Sequence, residues 1–417
     1  MLPFESRQRL AVARVAFVQD GSRRSYLVPA TLQEVGLLER AFCDWYVLTD
    51  SGEERFAQFI RLFADVQGRR MLERTSPALD PAKLVRNGSL ALWLRLRKSL
   101  FADEDNANIW AARRSANWIV KTGFGDANVL YGFIRNTSPE AFRAARQKGL
   151  RTVGEQFIAT AEAETRQIRE QQSRWPGWDH SVKSGGGTQM SPFEQETWDA
   201  LDHITCMSDY VADTLVESGV ERRKISVLPY PYQPSAAPPD RRSRKGPLHV
   251  GFVGGINLRK GAPYFLETAR RFDPAKFRFS MVGNMQLRSE MLAPYRRHVH
   301  FAPSVARSEI PSWMDKFDVF LFPSTCEGSA GAVMEAMANG LPVLTTRESG
   351  TRVRHGMEGF VYRYDDLDGF EAAIHRLSTD GDLRVAMGDA ARARAMSYTT
   401  EAYGDGLAEL FAAIVEA

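Results

Sequence analysis

The chain reads as an α/β protein of two doubly wound domains facing each other across a hinge. Three observations predict this. Short apolar runs of strand length alternate with segments of helical spacing, the pattern of parallel sheets covered by helices on both faces. A polar, proline-rich stretch at 231–246 interrupts the alternation, which restarts beyond it. At 417 residues the chain is too long for one ordinary core.

In the first half, the apolar run at 10–18 predicts a buried strand. Asp20, Gly21 and Ser22 break it, residues 26–38 have helical spacing, and 41–49 is read as the next strand. A strand at 128–134, a helix at 139–147 stopped by Gly149, and a strand at 151–157 follow. The stretch KSGGGTQM at 183–190 carries no packing residues and reads as a mobile loop. A helix at 193–200 and a strand at 204–207 come next. Ser208 is placed as the N-cap of a helix at 210–217, Gly219 ends that helix, and 225–228 is a strand. Beyond the boundary the expected elements are strands at 248–253, 277–282, 319–322 and 342–346, with helices at 262–272 and 332–338. The segment 401–415 is an amphipathic helix with Leu407, Leu410, Phe411 and Ile414 on one face. The expected division is 1–233 as the first domain, completed by 395–417, then a 234–246 linker and a 247–394 second domain. In such sheets ligands bind beyond the carboxyl ends of the strands, so the cleft between the domains is the default site.

Composition narrows the function. Hydrophobic content of 44% and charged content of 25% fit a soluble globular protein, and a net charge of +3 does not call for a nucleic-acid partner. Cys43, Cys206 and Cys326 lie far apart with neither metal spacing nor a disulfide pattern, which favours a reducing, cytoplasmic setting. The first residues lack the apolar core of a signal peptide, and no apolar run is long enough to span a bilayer.

The richest segment is PSTCEGSAGAVMEAMANGLPVLTT at 323–346, which reads as strand end, small-residue loop, helix, turn and strand. Glu327 lies in the loop and Glu335 in the helix. A helix N-terminus offers unpaired N–H groups and partial positive charge, and Gly328, Ser329, Ala330 and Gly331 let a phosphate approach that backbone closely. A carboxylate at Glu335 fits a vicinal diol such as a ribose. Taken singly, the loop is a tight turn and Glu335 a solvated surface residue; together they suit a sugar joined to a nucleotide diphosphate. A second segment, GFVGGINLRKG at 251–261, ends a strand in Gly254 and Gly255 and places Arg259 and Lys260 at the entrance to a helix. Those cations suit a departing diphosphate, or an exposed basic loop.

Taken together, residues 251–361 resemble the nucleotide-sugar domain of retaining glycosyltransferases of family 4, which have the GT-B architecture of two facing Rossmann-like domains. The resemblance is carried by Lys260 and Gly261 after the strand, the spacing of Glu327 and Glu335, the run EAMANGLPV from Glu335, and the later GFV at 359–361. It extends more weakly to SDYV at 208–211 and GVERRKISVLP at 219–229. It implies that Glu335 holds the ribose hydroxyls, that Glu327 contacts the transferred sugar, and that Lys260 with Arg259 stabilises the diphosphate. It also implies that backbone N–H groups at 329–331 assist, and that Ser304 and Val305, in FAPSV at 301–305, cradle the base. Where the family often has an arginine, this chain has Gly255, with Arg259 as the replacement. Where many members have a histidine at the cleft edge, strand counting arrives at Glu155, which then touches donor sugar or acceptor. Gly21, Arg23 and Arg24 are placed on the acceptor side, where the arginines either bind an anionic acceptor or cap the following helix. The implied activity is transfer of a sugar from a nucleotide-diphosphate sugar to a saccharide or glycolipid acceptor, with no metal and no cofactor.

Other signals carry less. The acid pairs Asp103/Asp105, Asp366/Asp368 and Asp380/Asp382 match a short metal signature but read as surface turns, and no two histidines have ligand spacing. Cys326 is read as a small packed thiol beside the donor pocket. The stretch LALWLRLRKSLF at 90–101 has two readings: a helix on the inner membrane face near a lipid-linked acceptor, or, ranked ahead of it, a buried helix with snorkelling arginines. A sugar-nucleotide epimerase and a non-catalytic sugar-nucleotide binder remain as alternatives. The turn QDGSRR at 19–24 lacks the glycine fingerprint of a nicotinamide-dependent oxidoreductase.

Overall fold

The computed structural model describes residues 13–19, 21–98, 101, 103–179, 189–232 and 246–416. The expected linker at 234–246 and the loop at 183–190 lie almost wholly outside the described residues, as does the start of the first strand.

The chain forms two parallel sheets. The front sheet holds β1 (Val15–Gln19), β2 (Leu38–Cys43), β3 (Leu84–Arg86), β4 (Val129–Phe133), β5 (Arg151–Gln156), β6 (His203–Cys206) and β7 (Ile225–Val227), in the order β3-β2-β1-β4-β5-β6-β7. The rear sheet holds β8 (Leu248–Val253), β9 (Phe277–Val282), β10 (Val299–Ala302), β11 (Val319–Phe322), β12 (Val343–Thr346) and β13 (Gly359–Tyr362), in the order β10-β9-β8-β11-β12-β13. In each, strand order reverses beside the first strand, which opens a crevice at the carboxyl ends.

Both faces of the front sheet are dry, so its central strands are continuously apolar rather than alternating. Along β1, Val15 and Phe17 enter one core while Ala16 and Val18 enter the core on the opposite face. The helix Thr400–Glu416 closes the first of these cores: Leu407 and Phe411 are fully buried there, and the Phe411 ring lies 5.3 Å from that of Tyr131 in β4. The chain's last helix therefore packs on the front domain, while Ala391 and Ala395 of the preceding helix belong to the rear core. Contact also runs the other way. Trp178, just past the helix Ala161–Arg174, is part of the rear core, and Trp175 stacks edge-on to Tyr264 at 5.6 Å.

The second strand departs from expectation. Gly36 (φ +77°) ends the helix Leu27–Glu34 early, with Leu37 N–H donating to Leu32 O and Gly36 N–H to Gln33 O. β2 therefore starts at Leu38, and Trp45, Tyr46 and Val47, read as strand, are buried in a loop. The stretch between β2 and β4, largely unassigned from sequence, contains the helices Gly52–Phe63, Asp65–Leu72, Gly88–Lys98 and Glu104–Thr122.

Candidate functional site

The centre of the site is an ion cluster at the mouth of the rear sheet. After β8 the chain turns through Gly254 and Gly255 and enters the helix Ala262–Arg270 through Gly261. Gly261 has φ +71°, and a Cβ there would lie 1.8 Å from Pro323 O, so only glycine lets this turn press against the loop after β11. That approach is sealed by Arg259 O, which accepts from Thr325 N–H at 2.9 Å and from the Thr325 and Ser324 hydroxyls. As a result Lys260 Nζ donates to Glu327 Oε1 at 2.6 Å, and Arg259 Nη1 lies 3.2 Å from the same oxygen. Arg259 Nη1 also donates to Cys326 O at 2.6 Å. Burial pushes the Glu327 carboxyl up, but the charges of Arg259 and Lys260 outweigh it and hold the group below the ordinary glutamate range. Glu327 is thus ionised and already paired.

The loop beyond Glu327 runs against the front domain. A Cβ on Gly328 would lie 1.9 Å from Phe157 O, and Gly328 O accepts from Ser208 Oγ at 2.5 Å. Ser208 also caps the helix Asp209–Glu217, accepting from Val211 N–H, so one hydroxyl serves both domains. Of the expected backbone donors, Ala330 N–H is taken by Ser349 O, and Glu327 N–H just ahead of them by Glu348 O, while Gly331 and Ala332 open the helix Gly331–Ala338 with N–H groups that have no partner within it.

Glu335 lies one turn into that helix, partly buried. Burial raises its carboxyl, while Arg307 of the rear domain and Arg24 of the front domain pull it back. Tyr232 feels the same group: burial and then Glu335 push its hydroxyl up to about 12. Glu335, Arg307, Tyr232 and Arg24 therefore share one field across the cleft. Sequence reading missed Arg307 and Tyr232, since a lone arginine in an exposed loop and a tyrosine beside the linker carry no spacing signal. Ser304 is exposed and Val305 is packed against the rear core, just ahead of Arg307. Gly255, where the family arginine was sought, faces Asn257 and Gln286, and Asn257 Nδ2 donates to Gln286 Oε1 at 2.9 Å.

On the front side, Gly21 N–H donates to Asp44 Oδ1 at 2.9 Å. Arg24, Ser25 and Tyr26 then all take left-handed backbone angles, with φ of 47°, 51° and 63°. Such conformations cost about 1–2 kcal/mol per residue in non-glycine residues, so the turn is held by its surroundings. The Tyr26 hydroxyl donates to Trp45 O at 3.1 Å, and its ring packs edge-on to Tyr46 at 4.9 Å. The turn lays the Arg23 guanidinium over the Phe157 ring at 3.7 Å and Arg24 over Tyr230 at 4.4 Å. These arginines do not cap the following helix at its N-terminus.

Glu155, expected at the cleft edge, lies one residue from the end of β5 and is buried. It is 2% exposed, with Oε2 accepting from the Tyr131 hydroxyl at 2.5 Å and Oε1 from the Tyr230 hydroxyl. Burial raises its carboxyl against those hydrogen bonds and the charges of Arg23 and Arg24. Its carboxylate holds the Tyr230 hydroxyl, and the Tyr230 ring lies under the Arg24 guanidinium. The three acid pairs set aside as turns do cap helices: Asp103, Asp366 and Asp380 each accept from a backbone N–H three residues on. No cluster of potential metal ligands occurs among the described residues.

Residues 247–380 match the family model for Glycosyl transferases group 1. That match falls on the rear domain. An Escherichia coli protein named UDP-Gal:alpha-D-GlcNAc-diphosphoundecaprenol alpha-1,3-galactosyltransferase is 28% identical over 144 residues, 32% of this chain and 37% of its own. A D-inositol 3-phosphate glycosyltransferase of Corynebacterium urealyticum is 28% identical over 179 residues, 39% of this chain and 42% of its own. The match thus spans about two fifths of these relatives. Across the whole chain the likeness is one of fold. Sucrose-phosphate synthase from Thermosynechococcus elongatus superimposes with a TM-score of 0.66 at 13% identity, covering 96% of this chain and 98% of its own. Anabaena Alr3699/HepE in complex with UDP and glucose does so at 0.58 and 12%, covering 96% and 100%. The chain thus has the GT-B fold, with both domains represented.

Proposed function

We propose that this chain is a retaining glycosyltransferase that moves a sugar from a nucleotide-diphosphate sugar to an acceptor hydroxyl in glycan or glycolipid assembly. The observation that carries the reading is the Lys260–Glu327–Arg259 cluster beside the open N-terminus of the helix that bears Glu335. In this reading Glu335 accepts from the ribose diol, and the diphosphate lies against Lys260 and the Gly331 and Ala332 N–H groups. Glu327 receives hydroxyls of the transferred sugar while its charge stays balanced. The anomeric C–O bond to the diphosphate breaks as charge accumulates on the leaving oxygen, where Lys260 and the helix N-terminus stabilise it. The acceptor oxygen attacks the same face and bonds to the anomeric carbon, and its proton passes to the departing phosphate oxygen. No separate general base is required. Lys260 and Arg259 supply the positive charge, so the reading is metal-independent.

The acceptor named for the Escherichia coli relative is a lipid diphosphate and that for the Corynebacterium relative an inositol phosphate. A lipid-bearing acceptor suits this surface. Phe59, Leu62 and Phe63 on one front-domain helix, and Trp93, Leu96 and Phe101 on and just beyond another, are exposed large apolar side chains. The reading of 90–101 as a buried helix holds for Leu94, at 6% exposure, and fails for Trp93 and Leu96, at 41% and 64%. No helix among the described residues is long and apolar enough to cross a membrane. We propose that the enzyme works from the cytoplasm and that these apolar side chains hold it at the inner membrane face.

The test is incubation with UDP-, GDP-, ADP- and TDP-sugars, with and without lipid and sugar acceptors, read by proton NMR. Retained anomeric configuration in the product supports the reading; inversion overturns the stereochemistry, and an isomerised donor without acceptor makes the protein an epimerase.

A further inference from the structure

We propose that the front-domain cavity above Gly21 and Ser22 is the acceptor subsite and that it takes an acceptor bearing a phosphate or diphosphate. The inference rests on the transferase reading and adds the acceptor's chemical class and the residues that select it.

The cavity has a volume of about 530 Å³, enough for a sugar phosphate. Its charged lining is Arg70, Arg74 and Arg95 against Asp44 and Glu73. Asp44 is already committed: one oxygen pairs with Arg74 at 3.0 Å and the other accepts the Gly21 N–H at 2.9 Å. Among the described residues no ion pair holds Arg70 or Arg95, and three arginines against two carboxylates leave the lining at +1, so an anion entering here meets net positive charge. A second, independent observation points to a ligand. Trp45 lines the cavity, is 5% exposed, and its indole N–H has no hydrogen-bond partner among the described residues. A buried donor left unmade costs about 1–3 kcal/mol, which an acceptor oxygen in the cavity would recover. The remaining wall, Met71, Leu92 and Leu94, is apolar and suits a sugar face or the first carbons of a lipid.

Position links the cavity to the chemistry. Gly21 and Ser22 form part of its lining, and the same loop continues into the left-handed turn that carries Arg24 to the field of Glu335. An acceptor anchored by its phosphate at Arg70 and Arg95 would thus lie beside the loop that borders the cleft.

The test is calorimetric titration of the full chain with inorganic pyrophosphate, on a Lys260→Ala background so that the cleft does not dominate. Replacing both Arg70→Gln and Arg95→Gln, at exposed positions, is expected to weaken this binding about tenfold or more; unchanged affinity overturns the proposal. Trp45→Phe is expected to weaken it by a smaller factor. Competition then distinguishes the sources: N-acetylglucosamine 1-phosphate in solution, or a polyprenyl diphosphate in phosphatidylcholine vesicles. Displacement by one of them supports an acceptor role and names its source, while displacement by neither overturns that role. Sugar transfer to phosphate-free acceptors, with an acceptor KM unaffected by the double substitution, sinks the cavity assignment and leaves the transferase reading standing. Pyrophosphate binding that depends on Arg70 and Arg95, in a protein that turns over no donor sugar, supports the anion site and sinks that reading instead.

Discussion

Lys260 Nζ and Arg259 Nη1 converge on a single oxygen of Glu327, at 2.6 Å and 3.2 Å. Two cations against one carboxylate leave the cluster with excess positive charge, which is what a diphosphate requires. In the proposed reaction the carboxylate would hold the lysine in place before the donor arrives, so that charge stabilisation would be set up in advance and need no reorganisation.

Lys260→Ala is therefore expected to lower kcat by about 10²–10³-fold, the usual cost of removing one preorganised donor to developing negative charge. Circular dichroism should show an intact fold, since Lys260 lies at the cleft. Near-normal turnover would remove Lys260 from the site.

The pH dependence of stability follows from the sign of the Glu327 shift. Its folded carboxyl lies below its unfolded value, so the ion cluster adds stability above the ordinary carboxylate range. That stability is lost as pH falls toward the depressed folded value. Glu327→Gln should flatten this acid limb in thermal melts recorded across pH; an unchanged limb would contradict the shift.

Glu335 behaves oppositely. Burial raises its carboxyl, so it gains a proton above the pH at which an exposed glutamate does. The protonated form is the poorer acceptor for a ribose diol. Nucleotide affinity should fall as pH drops through this raised value, and Glu335→Gln should bind weakly with no such pH step. A deoxyribose analogue of the nucleotide should lose the step as well.

Gly328→Ala tests the seam between the domains. The new methyl would meet Phe157 O at 1.9 Å, backbone against backbone, and the domains must separate to admit it. A stability loss of about 1–3 kcal/mol is expected from such overpacking, together with a higher donor KM, read by thermal melts and steady-state kinetics.

The apolar side chains Phe59, Leu62 and Phe63 test the membrane placement. Co-sedimentation with anionic vesicles should be strong at low salt and weaker at high salt, and Leu62→Asp with Phe63→Asp should reduce it. No binding at low salt would end the membrane reading.

The sequence was most legible where the signal is local. β8 and β11 are buried along their whole length and β9 everywhere but Arg278, and all three were read as strands with the bounds observed. Lys260 and Glu327 could be singled out because a strand end, glycines and a helix start fix them within a few residues. What sequence reading missed depends on contacts across the fold. The left-handed closure at Gly36 shifted β2 forward, since helix spacing alone does not reveal the turn that ends it. Glu155 was placed correctly on its strand, but the tyrosines that bury it, Tyr131 and Tyr230, come from distant stretches. Arg307 and Arg24 act on Glu335 from 28 and 311 residues away in sequence, and no period encodes that.

The most direct measurement is a crystal structure of the protein soaked with a nucleotide sugar selected by a thermal-shift panel. The account predicts the pyrophosphate against Lys260 and the Gly331 and Ala332 N–H groups, with the ribose hydroxyls on Glu335. A nucleotide bound elsewhere, with Lys260 and Glu327 paired and untouched by the donor, would contradict it.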